Sequence, residues 1–207
     1  MVQANPPDVI SEFRALFQSD MGTLRGYQAN ITLQKGAIPR FQRQRSVPYA
    51  LQEKVEEELG RLQNEGILKL VDYSDWAAPV VVVRRRDGSL RICGDYKVTV
   101  NSYLEMNAYP LPNPQDLFAT LARGGGRYFS ELEMKQAYLQ MKVSPQSQKY
   151  LTINKSKGLF AYTRMPFESV SRQLYGNVLW TESYPEFPEL AVFRRHFDRW
   201  ENSSRAR

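Results

Sequence analysis

Apolar residues recur at helical spacing in one long stretch of the first half of the chain. Leu51, Val55, Leu59 and Leu62 fall on one face with charged residues between them, which predicts an amphipathic helix with one core face. Ser46 is placed to cap it, Pro48 to open it and Gly66 to end it. Glu57 and Arg61, and likewise Lys54 and Glu58, stand one turn apart on the side left to solvent. The period then changes. Val80 to Val83 is a β-branched run that predicts a buried strand, and Asp87-Gly88 predicts a type I′ turn, whose two central residues both take positive φ. Ser89 to Cys93 is the returning strand. Farther on, Pro110 to Pro114 interrupts the chain, and Asn113 with Pro114 opens a helix carrying Leu117 and Leu121. Gly124 to Gly126 stops that helix, and Arg127 to Met134 reads as a strand. Lys149 to Ile153 and Leu159 to Met165 form a further strand pair around Asn154 to Gly158. Helices mixed with hairpins give an α+β fold class.

Composition narrows the chemistry. A chain of 207 residues with 42% hydrophobic content can bury a core. Its single cysteine, Cys93, excludes an internal disulfide and a cysteine zinc site, and its single histidine, His196, excludes a histidine metal cluster or a serine-type triad. An intracellular, reducing compartment, cytoplasmic or nuclear, is the default. No segment approaches the length of a membrane span and the N-terminus lacks a secretory pattern, so the expectation is a soluble protein.

Net charge of +6 is compatible with a polyanionic partner. Its distribution is more informative. No acidic residue occurs between Met21 and Gln52, whereas Arg25, Lys35, Arg40, Arg43 and Arg45 all do. A solvated basic linker explains that run as well as a binding segment does. The hairpin carries Arg84, Arg85 and Arg86 on its outgoing arm and Arg91 on its return. Near the C-terminus, Leu190, Phe193, Phe197 and Trp200 fall at helical spacing beside Arg194, Arg195 and Arg199, a pattern open to a basic amphipathic helix or to a cover for apolar surface.

Five segments in order, Val47 to Leu68, Ser74 to Lys97, Tyr109 to Ala122, Arg127 to Met141 and Tyr150 to Phe167, together resemble the reverse transcriptases of gypsy-class LTR retrotransposons, part of the Pol polyprotein. The resemblance covers the family's fingers and the first part of its palm. It implies a right-hand polymerase fold, truncated, and an RNA-directed DNA polymerase as the ancestral activity. That reaction joins a primer hydroxyl to the α-phosphate of a dNTP between two magnesium ions held by carboxylates. The resemblance places Glu133 at the metal-binding carboxylate position, Arg85 and Arg91 on the nucleotide's phosphates, and Tyr138 as a steric gate against a ribose 2′-hydroxyl. Taken alone, an arginine-rich hairpin also serves as a solubilising edge, and a lone tyrosine after a strand also fits a core position.

Three departures from the pattern matter more than the matches. The family has aspartate where this chain has Glu133, whose carboxylate sits one methylene farther out. After Phe167 the family's glycine and small-residue run is replaced by Glu168-Ser-Val-Ser-Arg-Gln, and no adjacent aspartate pair follows. Asp198 is the only aspartate after that point. The expectation is three regions: a loosely structured basic lead-in over 1–46, fingers and partial palm over 47–167, and a divergent tail over 168–207. A catalytically inactive fragment is expected, with magnesium not bound and with weak, salt-sensitive, sequence-independent binding of RNA or DNA. A non-catalytic nucleic-acid-binding module and a decayed gene product remain as alternatives.

Overall fold

A computed structural model describes residues 21–85, 87–105 and 135–166, together with 11, 14–18, 115 and 119. Apart from Gln115 and Ala119, the helix and strand expected over 113–134 lie outside the described residues, as do Glu133 and the tail helix with Leu190 to Trp200.

Helix α1 runs Tyr49–Asn64 and buries Val55, Leu59 and Leu62, the face anticipated from the apolar spacing. Its N-terminus differs from expectation. Pro48 occupies the cap with φ −50° and ψ 136°, and no side chain caps the helix. Proline already fixes the entry φ and brings no N–H to satisfy, so Ser46 is not recruited. The C-terminus closes on Gly66 at φ 66°. Gly66 N–H donates to Gln63 C=O and Ile67 N–H to Leu62 C=O, each at 2.9 Å, which is a Schellman closure. Arg61 pairs with Glu58 and Glu65 rather than with Glu57.

Five strands, β2 (Leu68–Val71), β3 (Ala78–Arg84), β4 (Leu90–Gly94), β6 (Thr152–Lys155) and β7 (Gly158–Tyr162), form one mixed sheet. Their order is β2-β7-β6-β3-β4. Strands β3 and β6 are parallel and the other neighbours antiparallel. The parallel pairing is brief, Ala78 with Ile153 and Pro79 with Asn154, whereas β3 and β4 pair from Val80 with Gly94 out to Arg84 with Leu90. The β3-β4 hairpin therefore leaves the sheet as a two-stranded arm. This explains the graded burial of the valine run, expected to be buried throughout: Val80 is buried, Val81 and Val82 are half-buried and Val83 is exposed. The last strand pair begins later than its sequence suggests, because Gln148–Leu151 winds as a 3₁₀ turn before β6.

The lead-in is sparse in regular structure but stitched to the rest of the molecule. Strand β1 (Gln28–Ala29) pairs in parallel with β5 (Lys142–Val143). Ile31 N–H donates to the Ser147 hydroxyl at 2.9 Å, and Arg164 reaches back to the Thr23 hydroxyl at 2.9 Å. Ala29 and Ile31 join the core, which centres on Leu59, Tyr96, Met141, Leu151, Ile153 and Met165. At that centre Tyr96 is fully buried and donates to Leu151 C=O at 3.1 Å.

Candidate functional site

A cleft of about 100 Å³ opens where α1, the β3-β4 hairpin and the 3₁₀ turn Ala137–Gln140 converge. Helix α1 contributes Glu58, Arg61 and Leu62 to its wall, and the hairpin contributes Arg85, Arg91, Ile92 and Cys93. Gln136, Tyr138 and Leu139 face them, with Tyr162 and Pro166 completing the lining. Arg85, Arg91 and Tyr138, singled out separately in the sequence, therefore meet around one space. The fourth candidate, Glu133, is outside the described residues.

The hairpin tip is shaped by short-range bonds. Arg85 N–H donates to Ser89 C=O at 2.9 Å and Gly88 N–H to Arg85 C=O at 3.1 Å. Of Asp87 and Gly88 only the glycine takes positive φ, 81°; the type I′ turn expected there is replaced by a longer loop with glycine at its left-handed position. The Asp87 carboxylate accepts Ser89 N–H at 2.8 Å, and hydrogen bonds from Ser89 hold its pKa below the ordinary carboxylate value. A carboxylate-braced loop thus carries exposed Arg85 at the mouth of the cleft, with Arg91 half-buried deeper in.

Arg61 is already committed. Its guanidinium donates to both Glu58 oxygens at 2.8 Å and to Glu65, and the Glu58 pairing is the main cause of its raised pKa. Glu58, the only carboxylate lining the cleft among the described residues, is engaged in turn. Arg85 and Arg91 place two more guanidinium groups on the wall opposite, so the lining is electropositive. Planar guanidinium forks of this kind suit phosphate or carboxylate oxygens.

Across the cleft, Gln136 adopts φ 50° and ψ 45° and precedes the turn that presents Tyr138. Among the described residues it is the only non-glycine with positive φ, a conformation that costs about 1 kcal/mol or more. Leu139 N–H donates to Gln136 C=O at 2.8 Å and Met141 N–H to Tyr138 C=O at 3.0 Å, which locks the turn. Tyr138 is buried, so its ring is a fixed wall. Glu58, Arg61 and Gln136 were not anticipated as cleft residues: the helix period gives their spacing but not which strand they face, and Gln136 has no sequence signature for its backbone.

No protein-family model matches the chain. An uncharacterized protein of Caenorhabditis elegans, K02A2.6, is 36% identical over 159 residues, which cover 76% of this chain and 12% of that protein. The Transposon Tf2-3 polyprotein of Schizosaccharomyces pombe is 35% identical over 91 residues, 44% of this chain and 7% of the polyprotein. The chain is similar to a segment of transposon polyproteins. Its fold is shared with part of the protease-reverse transcriptase of prototype foamy virus, at a TM-score of 0.70 and 18% identity over 89% of this chain and 26% of the viral one. A foamy viral protease-reverse transcriptase in complex with an RNA/DNA hybrid aligns at a TM-score of 0.65 and 15% identity, over 89% of this chain and 24% of that one. The fold of this polyprotein-like segment is thus one found within foamy viral protease-reverse transcriptases. Among its described residues no helix is long and apolar enough to cross a membrane.

Proposed function

We propose that the chain is a gypsy-class reverse-transcriptase segment, fingers and partial palm, that binds a nucleoside triphosphate in the arginine cleft and binds RNA or DNA weakly without sequence preference. The observation carrying this reading is the convergence of Arg85, Arg91 and Tyr138 on one electropositive cleft. In it the two arginines take the triphosphate oxygens as charge-assisted donors. The Tyr138 ring, fixed by the strained turn, limits what fits beside the sugar. Affinity for nucleic acid comes from phosphate neutralisation and falls steeply with salt; relatives of the fold have been captured on double-stranded DNA and on an RNA/DNA hybrid.

We further propose that this chain does not polymerise and does not hold the magnesium pair of that reaction. Glu58, the carboxylate in the described cleft lining, is taken up by Arg61. The sequence has Glu133 at the carboxylate position and no adjacent aspartate pair after it.

Two measurements test these readings. Titration with a deoxynucleoside triphosphate should saturate wild type, and Arg85→Ala/Arg91→Ala should weaken binding at least tenfold, about 1.4 kcal/mol; equal affinity for both would refute the cleft assignment. Primer extension with magnesium or manganese should give no product from wild type or from Glu133→Asp. Incorporation by either would refute the inactivity.

A further inference from the structure

A second surface lies at the opposite end of β3 from the arginine tip and shares no residue with the cleft. Trp76 is buried and packs edge-on against two tyrosines, with ring centroids 5.8 Å from Tyr103 and 5.9 Å from Tyr150. Each tyrosine is covered by a cation. The Arg40 guanidinium lies 5.2 Å from the Tyr103 centroid and the Lys149 ammonium 5.1 Å from that of Tyr150. Arg40 and Lys149 are exposed, while the two tyrosines are half-buried.

The scaffold holds this arrangement from several directions. Ala77 N–H donates to Arg40 C=O at 3.1 Å and Gln42 N–H to Ala77 C=O at 2.9 Å, fixing the lead-in beside the start of β3. The Ser74 hydroxyl donates to Trp76 C=O at 2.7 Å, and the Thr152 hydroxyl donates to Lys149 C=O at 2.9 Å. Gln34 N–H donates to Tyr103 C=O at 2.8 Å. Two aromatic rings and two cations are thus held on one rigid base, with Arg43 close by on the same lead-in segment. The neighbouring carboxylate, Asp75, accepts the Tyr73 hydroxyl.

We propose that Arg40, Tyr103, Tyr150 and Lys149 form a binding surface for single-stranded nucleic acid, with backbone phosphates at the two cations and bases stacked on the outer face of the Arg40 guanidinium and against the exposed parts of the two half-buried tyrosines. Aromatic faces interleaved with cations are what an extended strand needs, because every base offers a π-face and every linkage a charge. A duplex offers the same phosphates, but its interior bases have both faces already stacked, so the surface favours single strands. At about 3.3 Å per residue, β3 puts this surface on the order of 25 Å from the arginine tip, so it is a separate site. The inference rests on the proposed nucleic-acid binding of the chain and adds where that binding occurs.

The test is fluorescence anisotropy of the full chain with a labelled oligo-dT of about 12 nucleotides, within the roughly 4–16 that single-strand modules cover. Titrations run from about 50 to 200 mM salt. Arg40→Ala/Lys149→Ala should weaken binding about tenfold and reduce the salt slope by about 1.4, at about 0.7 for each phosphate no longer neutralised. Lys54→Ala/Lys69→Ala, an equal charge loss on exposed residues elsewhere, should weaken it less than threefold; thermal melts confirm that both variants fold. Equal weakening in the two variants, or unchanged affinity in Arg40→Ala/Lys149→Ala, would overturn this surface and leave the triphosphate cleft standing. No oligonucleotide binding by wild type would overturn it together with the proposed nucleic-acid binding.

Discussion

The hydroxyl of Tyr162 donates to the carbonyl of Ile92 at 3.3 Å, tying β7 to the strand that carries Arg91. Strand β4 pairs with β3 alone at one edge of the sheet, so this bond ties the edge strand to a strand outside its own hairpin. Tyr162→Phe removes the donor and leaves a buried carbonyl short of a partner. The expected cost is about 1 kcal/mol, a fall in Tm of roughly 2–4 °C for a chain of this length. Triphosphate affinity should fall with it, but by less than in Arg91→Ala. A loss equal to that of Arg91→Ala would mean that Tyr162 touches the ligand directly.

At the end of β4, Gly94 sits in close contact with the core. A Cβ there would stand 2.6 Å from Tyr96 Cζ and 2.9 Å from Ile153 Cγ2. Both neighbours are fully buried, and the Tyr96 hydroxyl is bonded to Leu151, so neither can step aside. Gly94→Ala should destabilise the chain by about 1–3 kcal/mol, the usual range for overpacking. Chemical denaturation should show the loss, and a variant within about 0.5 kcal/mol of wild type would contradict this packing.

These two positions also show what a sequence makes visible. The apolar face of α1 and the extended arms around Asp87-Gly88 were legible because periodicity and turn chemistry are local. The cleft was legible in part, since resemblance brought forward Arg85, Arg91 and Tyr138 without showing that α1 closes the other wall. Glu58 and Arg61 looked like solvated helix residues, because their facing partner lies on a strand distant in sequence. Arg61 takes Glu58 and Glu65 where Glu57 was expected, since several carboxylates on one helix lie within reach and rotamers decide among them. Burial of Ala29 and Ile31 was hidden for a similar reason: their partners, β5 and Ser147, come more than a hundred residues later. The role of Tyr96 in excluding a side chain at Gly94 is a three-dimensional relationship with no local signature.

Lys155 gives a prediction about pH. The residue is buried, and desolvation pushes its ammonium below the ordinary lysine value, offset in part by Glu56. In the unfolded chain the group titrates near about 10.4. Between the folded and unfolded values the unfolded state binds more protons, so stability rises with pH across that window and the full penalty applies below it. Lys155→Met removes the penalty and keeps the packed stem, while Glu56 retains Lys157 at 2.8 Å. The variant should melt above wild type at pH 7, with the gain shrinking as pH climbs toward about 10.4. A gain independent of pH would assign the effect to packing alone.

The pairing of Glu58 with Arg61 leads to a prediction about affinity, because it places a negative charge on the wall of a cleft proposed to take an anion. Glu58→Gln removes that charge and keeps the side chain's length. Arg61 stays tethered through Glu65, and its pKa, raised chiefly by Glu58, relaxes toward the ordinary value without approaching neutrality. The helix loses an exposed i,i+3 pair worth about 0.2–0.5 kcal/mol, too little to unfold it. The net charge of the cleft lining, which includes Arg85 and Arg91, rises by one unit. At solvent-like dielectric such a charge contributes about 0.5–1 kcal/mol toward each anionic ligand charge it faces. Triphosphate binding should therefore tighten about two- to fivefold in Glu58→Gln. The gain should diminish as salt is raised, since it is electrostatic. Weaker binding in this variant, with its melting temperature unchanged, would show that Glu58 touches the ligand or sets the Arg61 fork against it, and that the electropositive wall is built differently from the one described.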